Sequence, residues 1–387
     1  MTPSRYRKTG LVFASLMWFL VLAGRRSIAV LLVDIENEFS IGHTEAGLAF
    51  SSMFLLYGLL QFPSGVFSDI KGRKSTILIA MIIMGLSFIL IGISPHFIVF
   101  FSAVLLFGIG SGSLQTAGIS MLSDLYSENR GRALGIQSST GSLSGLIPVV
   151  APVVALIDWR ILFFVWGGAC FLMAVLFWRK GKETTRLPEG VSIKGRFGDG
   201  LSILKDPEVI LTFMITVAIV ICWTGYTSFY PTFLIETKGF STLESGVLFS
   251  ILVLGGIFLK PFFGRLSDKR SKKAVLLLIA ALGGSITVLL LYVENIFIVA
   301  FLSILLSGTA SFFLVTNSFL LGRWGSTGRG GKLGFFRSVT VLAGSPSSLM
   351  IGFTATRFGF LTSFTIISLF FLASSFLLAL NLFLQRN

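Results

Sequence analysis

Charge is scarce in this sequence, where only 12% of 387 residues are Asp, Glu, Lys or Arg, roughly half the share of a soluble domain. A chain of this length cannot cover a water-facing exterior with so few charged groups. Its residues are 54% hydrophobic, and apolar runs of membrane-spanning length recur from end to end. A soluble enzyme, a disordered chain and a secreted disulfide scaffold are thereby excluded. Cysteine is nearly absent as well. Cys170 and Cys222 both lie inside apolar runs, where they read as small buried hydrophobes rather than a disulfide or metal pair, so neither a metal nor a cofactor is expected. The interiors of the runs also lack acids and histidines. Asp34, Glu36, Glu38, Glu45, Asp124 and Glu128 stand near run ends, as do His43 and His96. A membrane-embedded enzyme would need a nucleophile, metal cluster or acid–base pair at depth, so enzymatic activity is not expected.

What is present is a series of spans of about 20 residues each. The pattern predicts an all-α membrane protein with helices near 10–33, 44–67, 75–93, 97–122, 132–156 and 161–178, then near 208–233, 244–264, 274–293, 296–321, 333–355 and 361–384. These form a six-helix bundle over 1–178 and another over 208–387, joined by a polar linker at 179–207. Arg5, Arg7 and Lys8 before the first run imitate a secretory signal, but Gly24-Arg25-Arg26 follows instead of a cleavage site, so an uncleaved first span is expected.

A single offset of 199 residues carries Glu45 and Gly47 onto Glu244 and Gly246, and Gly65 and Asp69 onto Gly264 and Asp268. It also carries Arg130, Gly131 and Gly135 onto Arg329, Gly330 and Gly334. Apolar helices resemble one another by default, but charged and glycine matches at one offset point to duplication and two pseudo-symmetric halves. With the N-terminus on the cytoplasmic side, 24 of the 31 basic residues fall on that side. The positive-inside rule then puts both termini in the cytoplasm. The net charge of +14 therefore reflects topology and attraction to anionic lipid, and nucleic acid is not expected as a partner.

The loop after the second span reads Gly65-Val66-Phe67-Ser68-Asp69-Ile70-Lys71-Gly72-Arg73-Lys74. It resembles the signature loop of the major facilitator superfamily, with Ile70 where a basic residue is usual. The loop after the eighth span repeats it as Gly264-Arg265-Leu266-Ser267-Asp268-Lys269-Arg270-Ser271-Lys272-Lys273. The resemblance implies a twelve-helix secondary transporter working by alternating access. Gly65 and Gly264 would permit close helix approach, while Asp69, Arg73, Asp268 and Lys269 would form reversible cytoplasmic latches. The superfamily's proton-antiporter signatures are incomplete. Val104 stands where an arginine is usual before Gly108, and the fifth span has Gly141, Gly145, Pro148 and Pro152 without a Gly-Pro pair. Drug–proton antiport is accordingly not expected.

Arg25 and Arg26 lie within the first span, about 23 Å from Gly10 at ~1.5 Å per residue. A charge there costs at least a few kcal/mol unless it meets water or a partner. Neighbouring side chains point about 100° apart, so one of the two is expected to reach the outer interface. The run Arg25-Arg26-Ser27-Ile28-Ala29-Val30 resembles the first helix of the organophosphate exchangers and anion–cation symporters. That resemblance implies that Arg25 holds a substrate carboxylate or phosphate. Arg26, Tyr57, Gln115, Gln137, Trp223, Tyr226, Tyr230, Asn317 and Arg337 complete the expected substrate-binding lining. The offset places Thr224 and Gly225 opposite the two arginines, so no symmetric arginine pair exists. Arg337 and Lys260 read either as cavity cations or as positive-inside anchors, and most aromatics as packing.

The expected function is transport of a small organic anion across the cytoplasmic membrane, by a monomer, with a proton, sodium or an exchanged anion as the coupled species. An exporter of a neutral, drug-like or lipid-like solute is the alternative. A channel is a further class, but nothing resembles a selectivity filter.

Overall fold

In a bilayer every backbone N–H and C=O must find its partner within the protein, which leaves helices or a closed barrel. The computed structural model describes residues 3–126, 129–184, 206–324 and 329–384, and among them there is no strand. The first half contains α1 (Pro3–Val30), α2 (Leu32–Phe39), α3 (His43–Lys71), α4 (Arg73–Gly92), α5 (Phe97–Leu125), α6 (Arg130–Ser142), α7 (Ile147–Ala155) and α8 (Arg160–Lys180). The second contains α9 (Pro207–Lys238), α10 (Thr242–Lys269), α11 (Lys272–Tyr292), α12 (Ile296–Leu306), α13 (Phe312–Arg323), α14 (Arg329–Gly344) and α15 (Ser347–Leu384). Single-turn 3₁₀ segments join α6 to α7 (Leu143–Leu146) and α12 to α13 (Ser307–Ser311).

Among the described residues, eleven stretches are long and apolar enough to cross a membrane. The last runs 53 residues from Lys332 to Leu384; as one helix it would be about 80 Å long, against a hydrocarbon core of roughly 30 Å. A turn at Ser345–Pro346 and the backbone at Gly359, φ 80°, break it. Only glycine takes that conformation without strain. The crossings on either side of Gly359 bring the number of spans to twelve, as the sequence predicts.

The chain divides into two compact units, residues 1–41 with 52–190 and residues 42–51 with 191–387. Most of the predicted linker, 185–205, lies outside the described residues.

In the first unit α4 packs between α5 and α8, and α1 runs along α6 and α7. Two glycines bring α5 onto α3. A Cβ at Gly108 would fall 2.5 Å from the Met53 carbonyl oxygen, and one at Gly112 would fall 2.5 Å from that of Tyr57. This small-x-x-x-small spacing, in which backbone meets backbone, sets where the Tyr57 ring stands. Beyond the end of α1, α2 is pinned through Glu38, whose carboxylate accepts from Trp159 Nε1 at 2.9 Å and pairs with Arg160 Nη1 at 2.8 Å. The Trp159 bond and then Arg160 hold that carboxyl below the usual range.

In the second unit α9 and α11 pack on α15. The Phe233 and Phe364 rings stack at 4.3 Å, and Tyr226 meets Phe364 edge-on at 5.1 Å. Asp206 caps α9 by accepting from Glu208 N at 3.0 Å, and it also pairs with Arg323. Chiefly because of Arg323, the Asp206 carboxyl is held below its ordinary range.

Candidate substrate site

Helix α1 presents its two arginines to different surroundings. The Arg25 guanidinium lies over the Tyr57 ring, 4.1 Å from its centroid, and 5.2 Å from that of Phe54. These rings are three residues apart on α3 and so share a face. Aromatic faces offer the cation an electrostatic partner without a carboxylate, and among the described residues no acid lies within ion-pair distance of Arg25. Its Nε and Nη2 are shielded from solvent and, among the described residues, have no hydrogen-bond partner. These two nitrogens share one edge of the planar guanidinium, the edge that receives a carboxylate, sulfonate or phosphate side-on through two parallel hydrogen bonds. Leaving such donors buried and unmet costs on the order of 1–3 kcal/mol or more.

Arg26 faces elsewhere, with Nη1 donating to the Gly141 carbonyl at 3.2 Å and to Ser144 Oγ. The structure thus separates the adjacent arginines into one with an open edge and one bound to the fifth span.

The other residues expected to line the cavity are distributed as follows. Gln115 is buried on α5 with no partner for its Oε1 among the described residues, whereas Gln137 donates to the Ala14 carbonyl at 3.4 Å. In the second unit Trp223 is half-buried on α9. Tyr226 and Tyr230 are fully buried, the first donating to Thr287 Oγ1 at 2.7 Å and the second sharing a hydrogen bond with Ser303 Oγ at 2.6 Å. Their hydroxyls are therefore spent inside the unit. Asn317 Oδ1 on α13 is buried without a partner among the described residues, and Arg337 on α14 lies 5.5 Å from the Phe313 ring centroid. Sequence reasoning brought Arg25 and Tyr57 forward but missed Phe54, one phenylalanine among 40.

The signature loops differ between the units. In the first, Gly65 allows α3 to approach α5, since a Cβ there would lie 3.2 Å from Thr116 Cγ2. Asp69 pairs with Arg73, which also reaches Asp124 at 3.2 Å and Ser68 Oγ at 3.1 Å. The N-terminus of α4 is covered by Glu183, which accepts from the backbone N–H of Arg73 at 2.8 Å and of Lys74 at 3.1 Å. No spacing in the sequence signals that contact. In the second unit Gly264 likewise faces Leu314, but Asp268 and Lys269 are exposed, and neither has an ion-pair partner among the described residues.

Twelve spans and paired signature loops define a duplicated helical carrier fold, and the family comparison agrees. The model of the Major Facilitator Superfamily matches residues 14–286, and the chain belongs to that family. It is 26% identical over 278 residues to the hexuronate transporter of Bacillus subtilis, covering 67% of this chain and 66% of that protein, so just under two thirds of the relative's length is matched. The multidrug resistance protein MdtG of Yersinia enterocolitica is 25% identical over 315 residues, or 78% of this chain and 72% of that protein. Among solved structures, a bacterial homologue of the human lysosomal transporter Spinster, inward-facing and unoccupied, superposes with a TM-score of 0.83. It covers 97% of this chain and 96% of its own at 17% identity, a likeness of fold alone.

Proposed function

We propose that the protein is a secondary transporter of a small organic anion, working by exposing the Arg25 subsite alternately to the two sides of the cytoplasmic membrane. The observation that carries this reading is the Nε/Nη2 edge of Arg25, a cation that lies over the Tyr57 ring and near that of Phe54 and whose edge meets no hydrogen-bond partner among the described residues. A carboxylate, sulfonate or phosphate ester fits that edge in charge and in geometry. The likeness to a hexuronate transporter supports the same class of ligand. Both termini are cytoplasmic in this reading, because 24 of 31 basic residues then share that side. A proton, sodium or a second anion is the coupled species, and the Asp69 and Asp268 loops act as latches.

Uptake of radiolabelled D-glucuronate, sulfoacetate and glucose 6-phosphate into proteoliposomes tests the reading. Saturable uptake of at least one is expected, and Arg25→Lys should cut it by about tenfold or more, because lysine cannot form the two-pronged contact. Equal rates in the Lys variant, or no anion taken up or able to compete, would sink it. The likeness to a multidrug resistance protein favours a second reading, export of a neutral or lipid-like solute. Stabilisation of the purified protein by neutral solutes but by none of the three anions would select it.

A further inference from the structure

The structure assigns to Arg26 a positioning role: it ties the helix that carries Arg25 to a hinge in the fifth span. This inference rests on the reading of Arg25 as the anion contact, but its first test does not. Trp18, Leu22 and Arg26 are spaced four residues apart on α1 and so form one stripe. That stripe lies against Gly141, where a Cβ would fall 2.5 Å from Trp18 Cδ1 and 3.0 Å from Leu22 Cδ1. Its last member bonds the Gly141 carbonyl at 3.2 Å and the Ser144 hydroxyl, which itself donates to the Gly141 carbonyl at 2.6 Å. Gly141 and Ser144 are both buried, and they flank the point where α6 gives way to the 3₁₀ turn Leu143–Leu146.

The fifth span departs from a regular α-helix there. Pro148 and Pro152 have no N–H to offer the carbonyls four residues earlier, those of Ser144 and Pro148, and a 3₁₀ turn inside a long helix is a common site of hinge motion. The Arg26 guanidinium adds to that turn a donor from another helix, held by the Gly141 carbonyl and the Ser144 hydroxyl, in surroundings without water to replace it. Because Arg25 and Arg26 are consecutive, any movement of α1 that follows anion capture at Arg25 pulls on the turn through Arg26. The offset position in the second half is Gly225, where a Cβ would strike Ile351, so the second unit has no counterpart of this tie.

Hydrogen–deuterium exchange on the purified, ligand-free full chain tests the tie directly. In Arg26→Met and Ser144→Ala, amides of residues 143–147 should exchange at least about tenfold faster than in the wild type, while those of α8 stay unchanged. Arg26→Lys, which keeps a donor, should recover part of the protection and serves as the second variant if the Met form does not fold. Uptake of D-glucuronate, sulfoacetate or glucose 6-phosphate, whichever the wild type carries, should then show a lowered maximal rate with KM held within about threefold. Unchanged exchange at 143–147 overturns the tie. So does a raised KM at an unchanged maximal rate, which would make Arg26 a ligand instead. If the wild type carries none of the three anions, the anion reading fails while exchange still decides the role of Arg26.

Discussion

At the scale of single residues, Arg25 lies over an aromatic ring rather than beside an acid, and its position depends on the Tyr57 ring staying beneath it. A cation–π contact is worth about 0.5–2 kcal/mol, so Tyr57→Leu should raise KM for the transported anion by roughly 2- to 30-fold. Tyr57→Phe should stay near the wild type; both follow from initial uptake rates across substrate concentration, and an unchanged KM in the Leu variant would show that stacking does not position the guanidinium. Arg25 could be read from the sequence because a charge inside an apolar run is conspicuous. The destination of Arg26 could not. Its partners lie 115 and 118 residues further along the chain, and no local pattern encodes a contact so distant. Phe54 escaped notice for a different reason, since a phenylalanine in a membrane span is ordinary.

At the scale of helices, the sequence locates the spans well because each is a run of apolar residues with polar ends. It misjudges their termini. The first span was expected at 10–33, but α1 starts at Pro3 and ends at Val30, and a separate α2 carries Asp34, Glu36 and Glu38. Hydropathy follows the bilayer's extent, while the helix continues for as long as the backbone can hydrogen-bond. Helix-to-helix distance is likewise invisible in hydropathy, yet it governs the site. Gly112 brings α5 against the Tyr57 backbone, so Gly112→Val should force the two helices apart. Overpacking of this kind costs typically about 1–3 kcal/mol, expected as a lowered Tm together with weaker anion binding. An unaltered Tm would show that α3 and α5 tolerate the wider spacing.

At the scale of the whole molecule, the duplication is legible in the offset of 199 residues, but the two copies have diverged in the contacts their signature loops make. The first loop has Asp69 on Arg73 and Arg73 on Asp124. The offset replaces Asp124 with Arg323, whose partner is Asp206 instead. Asp69→Asn should therefore depress transport more than Asp268→Asn. A fall of about tenfold against a change within about twofold is expected from the loss of a charge-assisted network in one case and of an exposed carboxylate in the other. Initial uptake rates of the two variants side by side decide it, and equal losses would mean that the second loop carries a latch of its own.

Glu183 has a consequence for where the first half ends. Its carboxylate stoppers α4 from a place 110 residues downstream of Arg73. Next to it, Tyr6 and Lys182 exchange hydrogen bonds through the tyrosine hydroxyl at 2.6 and 2.7 Å. The four residues after α8 thus serve the first half as a seam, stitching its first helix and its fourth to the end of its last. A first half severed at Lys180 loses both stitches, whereas one severed after Thr184 keeps them.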